Sequence, residues 1–98
     1  NMEALGRSLT TGIGENGFGS TDLGNVSLIL PAAHPTIAIA PREVASHSLE
    51  FAEAAASPAV HLGLIDAAKT MAMTAVDILI QPRLMAQVRR EFAKSQLR

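Results

Sequence analysis

His47 stands between Ser46 and Ser48 in a polar stretch, residues 41–48. Imidazole is a common metal ligand. An adjoining Asp or Glu would strengthen a metal reading, and serines on both sides leave it thin. Ahead of it lies a loop, residues 10–24, rich in Gly, Ser, Thr, Asn and Asp, residues that permit positive φ or bond their own backbone. The loop runs into GSTDLGNVS, residues 19–27, which sets hydroxyls, a carboxylate and an amide directly before a predicted strand. About fifteen residues without regular structure is long for a compact domain, and such loops are either functional or disordered. Two readings therefore stand, a wall of polar groups against a substrate or a flexible linker. His34 sits between Pro31 and Pro35 at a predicted strand end. That is where α/β folds place ligand contacts, although a lone turn histidine is more often only solvated. His61 and Asp66 lie off the predicted apolar stripe of their helix and receive no role.

These groups must be positioned by the elements around them. Met2, Leu5 and Leu9 recur at spacings of three and four, which predicts a short helix within residues 1–9. Gly12, Gly14 and Gly17 then exclude regular helix. Residues 25–30 and 36–40 read as strands: Val26, Leu28, Ile29 and Leu30 form one apolar run, and Ile37 and Ile39 alternate with alanines in the other. Nearly continuous apolar runs suit strands buried on both faces of a mixed α/β sheet. Leu49 to Ala56 is alanine-rich and reads as a helical turn or an irregular run. Ser57 and Pro58 form a helix start, an N-cap followed by proline at the first helical position. That helix is predicted to reach Ile80, with Val60, Leu64, Ala67, Ala68, Met71, Ala75, Ile78 and Leu79 on its apolar face. Pro82 opens a second helix whose stripe is Leu84, Met85, Val88 and Phe92, with Arg89, Arg90, Glu91 and Lys94 opposite.

Composition limits what these elements can serve. The chain has 98 residues, 48% of them hydrophobic and only 17% charged, against about 25% charged in an average soluble domain. Polar material to cover an exterior is scarce, which implies that a partner or the rest of a larger domain covers part of the apolar surface. A formal net charge of −1 and three aromatic residues, all Phe, give no basis for nucleic-acid binding. Cysteine is absent, so disulfides and thiolate metal sites are excluded and the default location is cytoplasmic. The longest apolar segment, residues 67–80, is interrupted by Lys69, Thr70, Thr74 and Asp77 and is too short and polar to span a bilayer. The start of the chain shows no signal-peptide pattern.

The run GSTDLGNVSLILPAAHPTIAIA (19–40), then SHSLEFAEAAAS (46–57), then AAKTMAMTAVDILIQP (67–82) resembles the C-terminal part of metal-dependent amidohydrolases of the aminoacylase and carboxypeptidase family. The likeness is to the branch with aminobenzoyl-glutamate hydrolase and related dipeptidases. It covers nearly the whole chain in order. The resemblance implies an α/β fold, a piece of a mixed-sheet zinc-exopeptidase-like catalytic domain with two buried strands followed by two C-terminal helices. It implies two divalent metals, commonly zinc, in the intact enzyme, with His47 at the position of the last ligand; a neutral imidazole suits zinc. It places Gly19, Ser20, Thr21 and Asp22 beside the substrate, Asn25 and Ser27 on the same wall, and His34 as a further substrate contact. Small amides or dipeptides are the implied substrates, and a homo-oligomer the implied assembly.

Departures from the family pattern define a limit. No HxD motif, no Glu pair with a general base and no bridging Asp occurs in the 98 residues. Catalytic zinc takes about three protein ligands and its water needs a base. The segment alone is therefore expected to be inactive, with no catalytic residue of its own and the rest of the domain upstream. The rival from another class is a non-enzymatic α/β interaction module that self-associates through apolar strands and helices.

Overall fold

A computed structural model describes residues 1–9 and 21–97 of the chain. Its elements are a 3₁₀ turn at Glu3–Leu5 and four helices, α1 Leu23–Ser27, α2 Leu49–Ala55, α3 Ala59–Ile80 and α4 Pro82–Gln96. The described residues contain no strand. This overturns the expected α/β fold with two buried strands.

The first expected strand, residues 25–30, begins inside α1, where the Ser27 hydroxyl donates to the Gly24 carbonyl at 2.7 Å and Leu30 N–H reaches Val26 O at 2.9 Å. Leu28, Ile29 and Leu30 are 70%, 74% and 58% exposed, so this run is not buried as a core strand would be. A short apolar run does not by itself distinguish strand from helix, and here local hydrogen bonds settle the matter. The second, residues 36–40, is irregular and joins no ladder among the described residues. It packs on a helix instead. The expected N-terminal helix shrinks to the single 3₁₀ turn and stops at Gly6, whose φ of 84° is left-handed.

Helix α3 is the element the others lean on, contacting α2 and α4. Its inward face is only in part the one expected: Val60, Ala67 and Ile78 belong to both. Gly63 and Thr70 are buried and Val60, Asp66, Ala67, Met73, Asp77 and Ile78 half-buried, whereas Leu64, Met71 and Leu79 face outward. Apolar residues occupy most of its circumference, so periodicity alone could not select a face. Small and polar residues select it. A Cβ at Gly63 would stand 3.3 Å from the Cγ2 atoms of both Ile37 and Ile39, so glycine is what lets residues 36–40 cross this close. Asp66 receives the Arg7 Nε–H at 2.8 Å, and Asn1 donates to Thr74 and Asp77, each at 3.0 Å. Residues 1–7 thus run antiparallel along a polar seam of α3.

The ends of α3 fall close to where the sequence put them, but Ser57 does not cap it. Its hydroxyl turns back to Ala54 O at 2.7 Å and closes α2. Helix α4 starts at Pro82 and half-buries Leu84, Met85, Val88 and Phe92 as expected. No hydrophobic residue among the described ones is fully buried. The Cα radius of gyration is 15.8 Å, against about 13 Å for a compact domain of 100 residues.

Candidate functional site

His47 occupies a turn with a defined construction. Its φ is 61°, the left-handed value, and it is the non-glycine residue with positive φ among those described. Histidine enters this region more readily than most residues, but it remains uncommon there. The next residue locks the turn. Ser48 Oγ donates to Ala45 O at 2.6 Å and accepts from Phe51 N–H at 3.1 Å, which makes it the N-cap of α2. The serine beside the histidine therefore acts on the backbone, holding an exposed imidazole at the entrance to a helix. Replacing Ser48 by alanine removes both bonds. We expect a loss of about 1 kcal/mol, read as faster amide exchange across Leu49–Ala55 with the rest of the chain unchanged.

The loop residues are arranged differently. Ser20 lies outside the described residues. Thr21 Oγ1 accepts from Leu23 N–H at a long 3.4 Å, and the Asp22 carboxylate precedes α1 without capping it. Asn25 is exposed on α1. His34, also exposed, lines a cleft of about 820 Å³ between residues 2–9 and the irregular segment 34–42. Thr21, Asp22, Asn25 and His47 do not line that cleft. The structure thus brings His34 together with Arg7, Arg42 and Ser46 rather than with the other expected site residues.

A resident metal can be tested against the donors present. Among the described residues no three His, Cys, Asp or Glu side chains come together in a group that could hold an ion. His47 is one competent donor, which is short of the three that catalytic zinc requires. The described residues alone do not fit a metal centre, and no catalytic step is assigned to them. What the arrangement can do is present a single imidazole from a turn held by Ser48.

Sequence reasoning missed two residues. Asp66, which lies off the predicted apolar stripe and receives no role from the sequence, is the partner of Arg7; an acid on an apolar helix is the visible signal, but its partner lies 59 positions away. Arg42 was passed over as part of a polar stretch, and nothing local marks it as a cleft residue. No helix among the described residues is long and apolar enough to cross a membrane.

Two homologues frame this geometry. Over 74 residues, 76% of the chain, it is 43% identical to the Xaa-Arg dipeptidase of Mus musculus and 38% identical to the Xaa-Arg dipeptidase of Homo sapiens. The chain spans 17% of the length of each of these relatives. No protein-family model and no solved structure matches the chain.

Proposed function

We propose that the chain is the C-terminal part of the catalytic domain of a metal-dependent hydrolase that cleaves amide bonds in dipeptides or N-acyl amino acids. The observation that carries this reading is the 43% identity with a dipeptidase over 74 residues. By the name of those relatives, dipeptides ending in arginine are the first substrates to try. In the intact protein His47 supplies one ligand to a divalent metal, most simply zinc, at a centre completed by residues outside this chain. Ser20, Thr21, Asp22, Asn25 and His34 form the wall next to the substrate. When bound, the metal would polarise the amide and activate water; the part of this chain is to hold and orient. The left-handed turn at His47, closed by Ser48, supports that reading because strained backbone persists where the surroundings require it.

The deciding assay is hydrolysis of an arginine-ended dipeptide by the intact protein, before and after dialysis against a chelator. Activity should vanish with the metal and return with zinc. Failure to cleave dipeptides and N-acyl amino acids under both conditions would sink the proposal.

A second reading, an interaction module without catalysis, draws on the exposed apolar side chains Leu62, Leu64, Ile65, Met71, Val76 and Leu79 of α3. Both readings share one expectation, because an apolar surface of this extent is not left in water. Expressed alone, the 98 residues should self-associate at micromolar concentration and show no hydrolysis. Light scattering reporting a monodisperse monomer would contradict the first half, and turnover would contradict the second.

A further inference from the structure

The cleft that receives His34 has an unusual balance of charge. Among the described residues its ionisable lining groups are Arg7, Arg42 and His34, with no Asp or Glu. Arg7 commits its Nε–H to Asp66 at 2.8 Å, which leaves its two terminal NH₂ groups for another acceptor. Arg42 is exposed and makes no ion pair among the described residues. Ser8, Thr36 and Ser46 add hydroxyls along the same walls, while Ile37, Ile39, Val44 and Phe51 make the remainder apolar.

A guanidinium matches the two oxygens of a carboxylate and binds them through paired N–H donors. A cationic ligand would meet like charge here and no acid among the described lining residues. A flat aromatic ligand such as a nucleobase would find, among the described lining residues, only Phe51 to stack on. The volume, about 820 Å³, is within the usual range for small-molecule sites, about 300–1,000 Å³.

We propose that this cleft binds a small monocarboxylate carrying an apolar body, with Arg42 and the terminal nitrogens of Arg7 on the carboxylate and Ile37, Ile39 and Phe51 against the apolar part. The inference stands on the cleft and does not depend on the hydrolase reading. In an enzyme it would orient the anionic end of a ligand, and in a non-enzyme it would be a sensing site.

The test is equilibrium binding to the intact protein by calorimetry, using isocaproate, its neutral isostere isocaproamide, and inorganic phosphate. None of the three is a peptide, so the result is read whether or not the protein cleaves peptides. Isocaproate should bind, the amide should bind at least about tenfold more weakly, and phosphate should be weaker than isocaproate for want of an apolar part. Arg42→Ala should weaken isocaproate about tenfold or more and leave the amide unchanged, and Arg42→Lys should fall between, since it keeps charge but loses the paired donors. Arg42 is exposed, so these variants leave the fold intact, which an unchanged melting temperature verifies. Equal binding of acid and amide, tighter binding of phosphate, or indifference to Arg42→Ala would each overturn the assignment.

Discussion

His47→Ala in the intact protein is expected to lower bound zinc and to reduce kcat/KM by about a hundredfold or more. Disturbing groups that merely orient a metal ligand already costs 10–100-fold, so loss of the ligand itself belongs at or beyond the upper end. The backbone at this position allows a sharper design. With φ at 61°, a left-handed conformation costs a residue bearing a Cβ about 1 kcal/mol, and glycine escapes that cost. His47→Gly should therefore match His47→Ala in lost zinc and activity while melting higher than the alanine variant. A residue kept only to form the turn would give a different pattern, with His47→Gly as active as the parent. Full zinc content and activity in both variants would refute the ligand assignment.

The second large effect concerns Gly63. A Cβ there would stand 3.3 Å from the Cγ2 atoms of Ile37 and Ile39, which lie across α3. Gly63→Ala sets a helix-propensity gain of about 1 kcal/mol against contacts at 3.3 Å with two methyl groups. Both contacts are with ends of side chains that can yield a few tenths of an ångström, so the alanine variant should be near neutral. Gly63→Leu cannot be absorbed in this way. It should lift residues 36–40 from the helix and cost about 1–3 kcal/mol, the usual range for overpacking. A denaturant midpoint equal to that of the parent would show that the crossing contributes nothing to stability. Since the same segment forms a wall of the cleft, Gly63→Leu should also weaken isocaproate binding.

The two long helices were legible because their signals are local. Pro58 announced α3, Pro82 announced α4, and Leu84, Val88 and Phe92 named the stripe that α4 half-buries, whereas α2 was left open between a helical turn and an irregular run. The stripe of α3 was misread because nearly every azimuth of that helix is apolar, and what orients it is a glycine and two acids that no apolar pattern reports. The strands failed for a related reason. A strand is a relation between two segments, and apolar composition at residues 25–30 and 36–40 carries no information about whether a neighbour is present to pair with. At the site, His34 proved to line a cleft, while the arginines that give the cleft its charge carry no local mark. Arg7 and Arg42 are brought to one place only by the path of the chain across α3.

The antiparallel seam along α3 has a bearing on how this molecule finds one native arrangement. A cylinder that is oily on nearly all sides can be turned about its long axis with little change in the amount of oil it hides, so hydrophobic burial gives weak guidance on its rotation. Arg7 on Asp66 and Asn1 on Thr74 and Asp77 grip it at two heights, separated by eleven residues or about 16 Å of helix. One attachment would act as a pivot. Two fix the setting, much as a key with two teeth admits a single orientation, and they do so with groups whose net energy is small. Removing both grips, Asp66→Ala with Asn1→Ala, would then cost little in melting temperature and much in uniqueness, giving broadened or doubled amide resonances along Ala59–Ile80.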